Sequence, residues 1–194
     1  MAASVLYMSV SLDGFVAGPD DGPEQGLGVD GERLHDWIGQ GDPAFRPEGV
    51  NAQVFDEMLA TGAVVVGRRT FEIAGEWGGE HHDGVPIFVL TRELPDQAKQ
   101  NRWPNVHYVT DIAEAMTAAK KAAGDKNVMV HGARLTELAL KAGVLDEFEI
   151  HQIPVLLGAG RRLFDNLGTD HTELDLVRAL QGPGVLHLRY KVVR

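Results

Sequence analysis

Residues 63–70 read Ala63-Val64-Val65-Val66-Gly67-Arg68-Arg69-Thr70, an apolar run that ends in glycine and hands two arginines and a hydroxyl to the next turn. A chain written this way folds as strand, tight turn and helix, and it prepares a place for phosphate. Glycine lets backbone approach an anion, the amides opening the helix point at it, and guanidinium groups add charge-assisted, often bidentate hydrogen bonds. The junction recurs at Val128-Met129-Val130-His131-Gly132-Ala133-Arg134-Leu135. Two such sockets in one chain point to a nucleotide cofactor.

Between and around them, strand and helix signals alternate. The pattern predicts a first strand over residues 5–12, a Gly-, Pro- and Asp-rich loop over 13–31, helices over 32–38 and 50–59, and a strand over 64–66. It continues with a short helix over 70–74, strands over 87–90 and 106–109, and a helix over 111–123 capped by Asp111 with Glu114 at the capping-box position. A strand over 128–130 and a helix ended by Gly143 follow. Three β-rich stretches then close the chain, over 147–157, 174–180 and 185–193, the last two around the turn Gly182-Pro183-Gly184. Alternating strands and helices imply an α/β fold with a mostly parallel central sheet and helices on both faces, and the final hairpin adds antiparallel strands at one edge.

Composition sets the outer limits. A chain of 194 residues is expected to form a single domain spanning 1–194, burying roughly 70% of its unfolded surface around one core. With no cysteine, disulfides, thiol nucleophiles and Cys-containing zinc sites are excluded. Neither a secretory leader nor a bilayer-length apolar run is present, so a cytoplasmic protein without membrane contact is expected. A formal charge of −10 argues against a nucleic-acid surface, and the Arg pairs at 68/69 and 161/162 stand out against it.

A third strand, Ile87-Phe88-Val89-Leu90, also ends in groups able to hold phosphate, Thr91 and Arg92. Ligands of parallel sheets sit at the carboxyl ends of strands, where the Arg68/Arg69 and Thr91/Arg92 ends can converge. Such a pocket favours a 2′-phosphate. Each charged hydrogen bond is worth roughly 1.5–3 kcal/mol, so two or three select NADPH over NADH by orders of magnitude. The competing reading pairs these arginines with Glu72 and Glu93 on an exposed surface.

Other motifs carry less. Gly26-Leu27-Gly28-Val29-Asp30-Gly31 matches G-x-G-x-x-G but follows Pro19-Asp20-Asp21-Gly22-Pro23 rather than a strand, so it reads as a flexible loop. Gly158-Ala159-Gly160 reads as a turn. His81-His82-Asp83 lacks metal-ligand spacing and is expected in a solvated loop, and no metal is predicted. His131 ends a strand and is either a ligand donor or a satisfied core histidine. There is neither a G-x-S-x-G elbow nor a Walker lysine loop.

Ser11-Leu12-Asp13-Gly14-Phe15-Val16-Ala17, Val66-Gly67-Arg68-Arg69-Thr70-Phe71-Glu72 and Pro154-Val155-Leu156-Leu157-Gly158-Ala159-Gly160 together resemble the dihydrofolate-reductase-like fold. Within it, the chain is similar to the reductase domain of bifunctional riboflavin-biosynthesis enzymes, the RibD C-terminal type, and its stand-alone relatives. The last segment, with Gly143-Val144-Leu145-Asp146-Glu147 before it and Leu163-Phe164 after it, carries the likeness to the riboflavin branch.

The resemblance implies a three-layer fold and an NADPH-dependent oxidoreductase. It implies that Gly67, Arg68, Arg69 and Thr70 hold phosphates of NADPH, that Leu90, Thr91 and Arg92 take the adenosine and 2′-phosphate, and that His131, Gly132, Ala133, Arg134 and Leu135 form the pyrophosphate turn. Val16, Ala17 and Gly18 match the loop that covers nicotinamide. The family turn carries paired glycines, whereas here His131 precedes Gly132 and Ala133 follows it. No deaminase half of the riboflavin enzyme is expected beside it, in keeping with the lack of cysteine.

Hydride transfer to a C=N or C=O of a pyrimidine- or pteridine-like substrate follows from the likeness. Asp13 is the leading acid or orienting group, with a loop cap as its alternative; Asp36 and Asp56 both qualify as a helix carboxylate. His35 and Trp37 are candidates for shaping the substrate pocket, and Trp37 fits a core position equally. The resemblance also implies a homodimer. A nucleotide- or flavin-binding protein without turnover, and a weak dihydrofolate reductase, are the alternatives.

Overall fold

Strands too apolar to meet water on either face must lie inside a sheet, and that is where these runs are found. The computed structural model describes residues 2–42, 44–96, 102–165, 167–168 and 171–194. In chain order the strands are β1 (Ser4–Ser11), β2 (Phe15–Ala17), β3 (Ala63–Gly67), β4 (Ile87–Leu90), β5 (Val106–Val109), β6 (Val128–His131), β7 (Glu147–Ile153), β8 (Arg161–Arg162), β9 (Leu174–Gly182) and β10 (Val185–Val192). The α-helices are α1 (Gly49–Leu59), α2 (Arg68–Ile73), α3 (Ile112–Ala123) and α4 (Ala133–Lys141), with 3₁₀ segments at Gly31–Gly41 and Gly75–Gly79. The packing divides into two compact units, one of residues 2–6 and 59–146, the other of residues 7–58 and 147–194.

The first unit is the parallel one. Its strands run β5-β4-β3-β6-β1, every pair parallel, with Val64–Val66, Ile87, Val89 and Val128–Val130 almost completely buried. Helix α3 starts where Asp111 accepts a hydrogen bond from the Glu114 amide at 2.8 Å, a cap worth about 1 kcal/mol, and buries Ala115, Met116, Ala119 and Ala123.

The second unit is antiparallel. Its strands follow the order β1-β7-β10-β9, with β10 antiparallel to both β7 and β9. Leu34, Trp37, Val54, Ile153 and Val185 form its apolar core. Beside that core lies an unusual concentration of buried polar groups: Glu149, His151 and His187 are each at most 1% exposed. Arg178 bridges Glu57 at 2.5 Å and Glu149 at 3.1 Å, Arg189 bridges Glu147 at 2.6 Å, and His187 Nε2 meets Asn51 Oδ1 at 3.1 Å. His187 and Arg189 of β10 and Arg178 of β9 share one face with Glu149 and His151 of β7. The alternate residues, Leu186, Leu188, Tyr190 and Val192 on β10 with Ala179, Leu176 and Leu174 opposite them on β9, make the other face largely apolar.

The predicted loop over 13–31 is more ordered than its composition suggests. β2 pairs with β8, a strand of two residues that no local pattern announces.

Candidate functional site

Register sets three of the expected turns side by side in the first unit. Gly67 of β3 pairs with Leu90 of β4, and Val66 with His131 of β6, so the ends of β3, β4 and β6 lie side by side. Each end continues into one of the polar turns: Arg68-Arg69-Thr70, Thr91-Arg92 and Gly132-Ala133-Arg134.

The single glycine of the third turn keeps the special backbone. Gly132 has φ +105° and ψ 134°, a conformation side chains rarely adopt, and a Cβ there would lie 2.8 Å from Thr70 Oγ1. His131 before it and Ala133 after it do not disturb that geometry. Helix α4 opens at Ala133, and its first amides, those of Ala133, Arg134 and Leu135, have no acceptor within the helix. Backbone able to approach Thr70, a helix opening and nearby arginines fit a dinucleotide pyrophosphate. The residues present therefore suit a nicotinamide dinucleotide.

Side chains refine the expectation. Arg68 pairs with Glu72 at 2.7 Å, the competing arrangement, but both are more than 40% exposed, and such a pair is worth only about 0.3–0.5 kcal/mol. A phosphate can displace Glu72 at little cost. Arg69 and Arg92 are exposed. Three of these side chains are engaged within the protein. The Thr91 hydroxyl donates to the Glu93 carbonyl at 2.8 Å and is 7% exposed, so it is committed to its own turn. The Leu135 side chain is 1% exposed and belongs to the core; only its amide faces the helix opening. Arg134 donates to Glu137 at 2.6 Å, whose side chain is 3% exposed, so its guanidinium is engaged on its own helix. Leu90 is half-buried.

In the second unit, Asp13 ends the first strand as expected. Its carboxylate accepts from the Ser11 hydroxyl at 2.6 Å and from the Gly158 and Leu157 amides at 2.7 and 3.1 Å. The Ser11 bond, seconded by the two amides, outweighs burial and lowers its pKa to about 2. Asp13 is thus ionised at neutral pH. It ties the 157–158 turn to β1, as the loop-cap alternative has it.

Val16 and Ala17 are 7% and 5% exposed within β2, not on an open flap. Gly18 is packed so closely that a Cβ would meet the Val29 carbonyl oxygen at 1.9 Å, and its amide donates to Leu27 at 2.7 Å. The glycine-rich stretch after it is therefore a packed turn. Arg161 and Arg162 serve this loop: Arg161 holds Asp21 with two bonds of 3.0 Å, while Arg162 lies 4.4 Å over the Phe15 ring and donates to the Asp13 carbonyl.

Trp37 is 5% exposed, donates from Nε1 to Ser9 Oγ at 2.9 Å and packs on His151 at 4.5 Å. It packs in the core, the second of the two readings given for this position. His35 is half-buried, and burial lowers its pKa.

The histidines read as solvated are not. His82 is 9% exposed and bonded to Thr61, and His81 is half-buried against Trp77. Adjacent histidines carry no periodic signal that separates a loop in water from one folded inward. Among the described residues, no group of three His, Asp or Glu is placed to hold a metal ion. No helix among them is long and apolar enough to cross a membrane.

A mixed α/β fold with phosphate-type turns at adjoining parallel strand ends, followed by antiparallel C-terminal strands, defines a class that comparison makes specific. Residues 4–188 match the RibD C-terminal domain family, and the chain belongs to it. It is 30% identical to the uncharacterized protein YwjB of Bacillus subtilis (strain 168) over 96% of both chains. Among solved structures it is similar to a protein from Shewanella sp. PV-4 assigned to riboflavin biosynthesis, with TM-score 0.73, 21% identity and 99% of each chain covered. A pyrimidine reductase-like protein from Corynebacterium diphtheriae follows, with TM-score 0.66, 15% identity, and 100% of this chain and 92% of that one covered. The resemblance read from the sequence holds, and so does the fold class.

Proposed function

We propose that the chain is a cytoplasmic, NADPH-dependent reductase delivering hydride to a C=N or C=O of a pyrimidine- or pteridine-like heterocycle, in the manner of 5-amino-6-(5-phosphoribosylamino)uracil reductase. The observation that carries the reading is Gly132, whose backbone approaches Thr70 at the start of α4 beside the Arg68/Arg69 turn. In that arrangement the Gly132 turn and the α4 amides bind the pyrophosphate, and Arg68 and Arg92 bind the 2′-phosphate. Reduced nicotinamide, when bound, supplies the hydride. Asp13 acts as an ionised anchor that fixes the 157–158 turn.

The partner in this proposal is a second copy of the chain. Leu174, Leu176 and Val177 of β9 are 41%, 59% and 56% exposed, and Leu186, Leu188, Tyr190 and Val192 beside them are half-buried. Those seven side chains carry no charge in a chain of net charge −10. Exposed apolar surface of that extent marks an interface, and a two-fold axis lets such a face meet itself.

The test is loss of NADPH absorbance with the ribosylamino-pyrimidine or dihydrofolate as acceptor. Turnover with either substrate is expected. Tight NADPH binding with no oxidation by any reducible heterocycle is the contrary result, and it would point to a binding protein.

A further inference from the structure

The 3₁₀ segment Gly75–Gly79 turns left-handed throughout, with φ of +65°, +57°, +46°, +63° and +83°. Glycine accepts this backbone at no steric cost. Glu76 and Trp77 do not, and residues held so are strained. Local contacts impose it. The Glu76 carboxylate accepts from Trp103 Nε1 at 2.7 Å and faces Arg102 at 3.5 Å, and Gly79 is pressed onto the Trp103 ring, where a Cβ would lie 2.3 Å away.

The turn fixes where the Trp77 ring goes. It stands edge-on to Phe71 at 5.7 Å and to His81 at 4.6 Å, and 6.1 Å from His131. His81 and His131 are 5.7 Å apart. Phe71 follows Thr70, and His131 precedes Gly132, so the three rings stand beside the strand ends that carry the phosphate turns. Trp77, His81 and His131 are each half-buried, neither sealed in the core nor fully in water.

Hydrogen bonding sets the tautomers. The Thr61 carbonyl accepts from His82 Nε2 at 3.0 Å, so in neutral His82 the Nδ1 carries a lone pair. His82 Nδ1 lies 2.7 Å from His81 Nδ1, which must therefore donate. His81 Nε2 is left as an acceptor. Burial lowers the His81 pKa to about 3, so the ring stays neutral.

We infer that Trp77, His81 and His131 form a recognition shelf for the flat ring of the substrate, with His81 Nε2 accepting a ring or amino N–H. The ligand class is a planar heterocycle bearing N–H donors. These three residues determine specificity, and His82 and Glu76 position them. The inference rests on the reductase reading only for the choice of probe.

The experiment uses the full chain labelled with ¹⁵N-histidine and the probe 5,6-diaminouracil, with 1,3-dimethyluracil as the analogue lacking N–H groups. His81 Nε2 is expected to resonate as an unprotonated nitrogen between pH 5 and 8 and to shift on adding diaminouracil. His81→Phe and, separately, Trp77→Phe are expected to weaken diaminouracil binding at least tenfold and to change NADPH binding less than twofold. Dimethyluracil should bind wild type at least tenfold more weakly than diaminouracil. Absence of diaminouracil binding, or unchanged affinity in both variants, overturns the inference. Diaminouracil binding that depends on His81 in a protein that fails to bind NADPH supports the shelf and contradicts the reductase instead.

Discussion

Replacing Gly132 with alanine tests the turn on which the cofactor reading stands. At φ +105° an alanine carries a backbone cost of about 1–3 kcal/mol, because its Cβ collides with its own peptide groups. The new methyl also meets Thr70 Oγ1 at 2.8 Å, closer than packed atoms tolerate. Turning the Thr70 side chain out of its rotamer adds about 0.5–1.5 kcal/mol. Gly132→Ala is therefore expected to lose about 2–4 kcal/mol in urea unfolding, with the midpoint falling and the slope unchanged. Thr70→Ala removes the colliding hydroxyl, so the double variant should recover about 1 kcal/mol relative to additivity and no more. A loss below about 0.5 kcal/mol for Gly132→Ala, or strict additivity in the cycle, refutes the reasoning.

Other expectations follow from the same geometry. Arg68→Ala should weaken NADPH by about tenfold or more while leaving NADH within about twofold, since its Glu72 pair is exposed and cheap to break; equal loss for both coenzymes contradicts a 2′-phosphate contact. Burial, with the Arg178 charge beside it, holds the His187 pKa at about 4. The unfolded chain thus binds more protons between about pH 4 and 6.5, and stability is full above that window and falls as pH falls through it. At pH 5 the cost from His187 is about 2 kcal/mol, read as a lower urea midpoint than at pH 7; identical midpoints would refute it. Leu176→Glu should convert a dimer to monomer in sedimentation without lowering the unfolding free energy by more than about 0.5 kcal/mol, and a wild-type monomer at micromolar concentration contradicts the interface.

What the sequence made legible was mostly local. The Val64–Gly67 and Val128–Gly132 junctions declare strand, turn and helix together because each needs only consecutive residues, and Asp111 caps α3 through a contact three residues away. What stayed hidden needed partners far along the chain. β8 is two residues long and exists because Phe15–Ala17 lies beside it. Trp37 reads equally as pocket or core until His151 and Ser9 are seen against it.

The alternation in residues 185–192 announces a strand without saying which face turns inward. Binary pattern alone points Leu186, Leu188, Tyr190 and Val192 to the core. The unit instead buries His187 and Arg189, because Asn51 and Glu57 of α1 and Glu147 and Glu149 of β7 supply their partners. The left-handed Gly75–Gly79 turn has glycine in three of five positions, a visible signal, yet the contact that bends Glu76 and Trp77 comes from Trp103.

The account depends on adjoining ends of parallel strands holding a dinucleotide with an extra phosphate. Titration calorimetry with NADPH and with NADH addresses that directly. The arginines at these strand ends predict saturable binding of NADPH at least about 100-fold tighter than NADH. Equal affinities, or no saturation with either, contradict it.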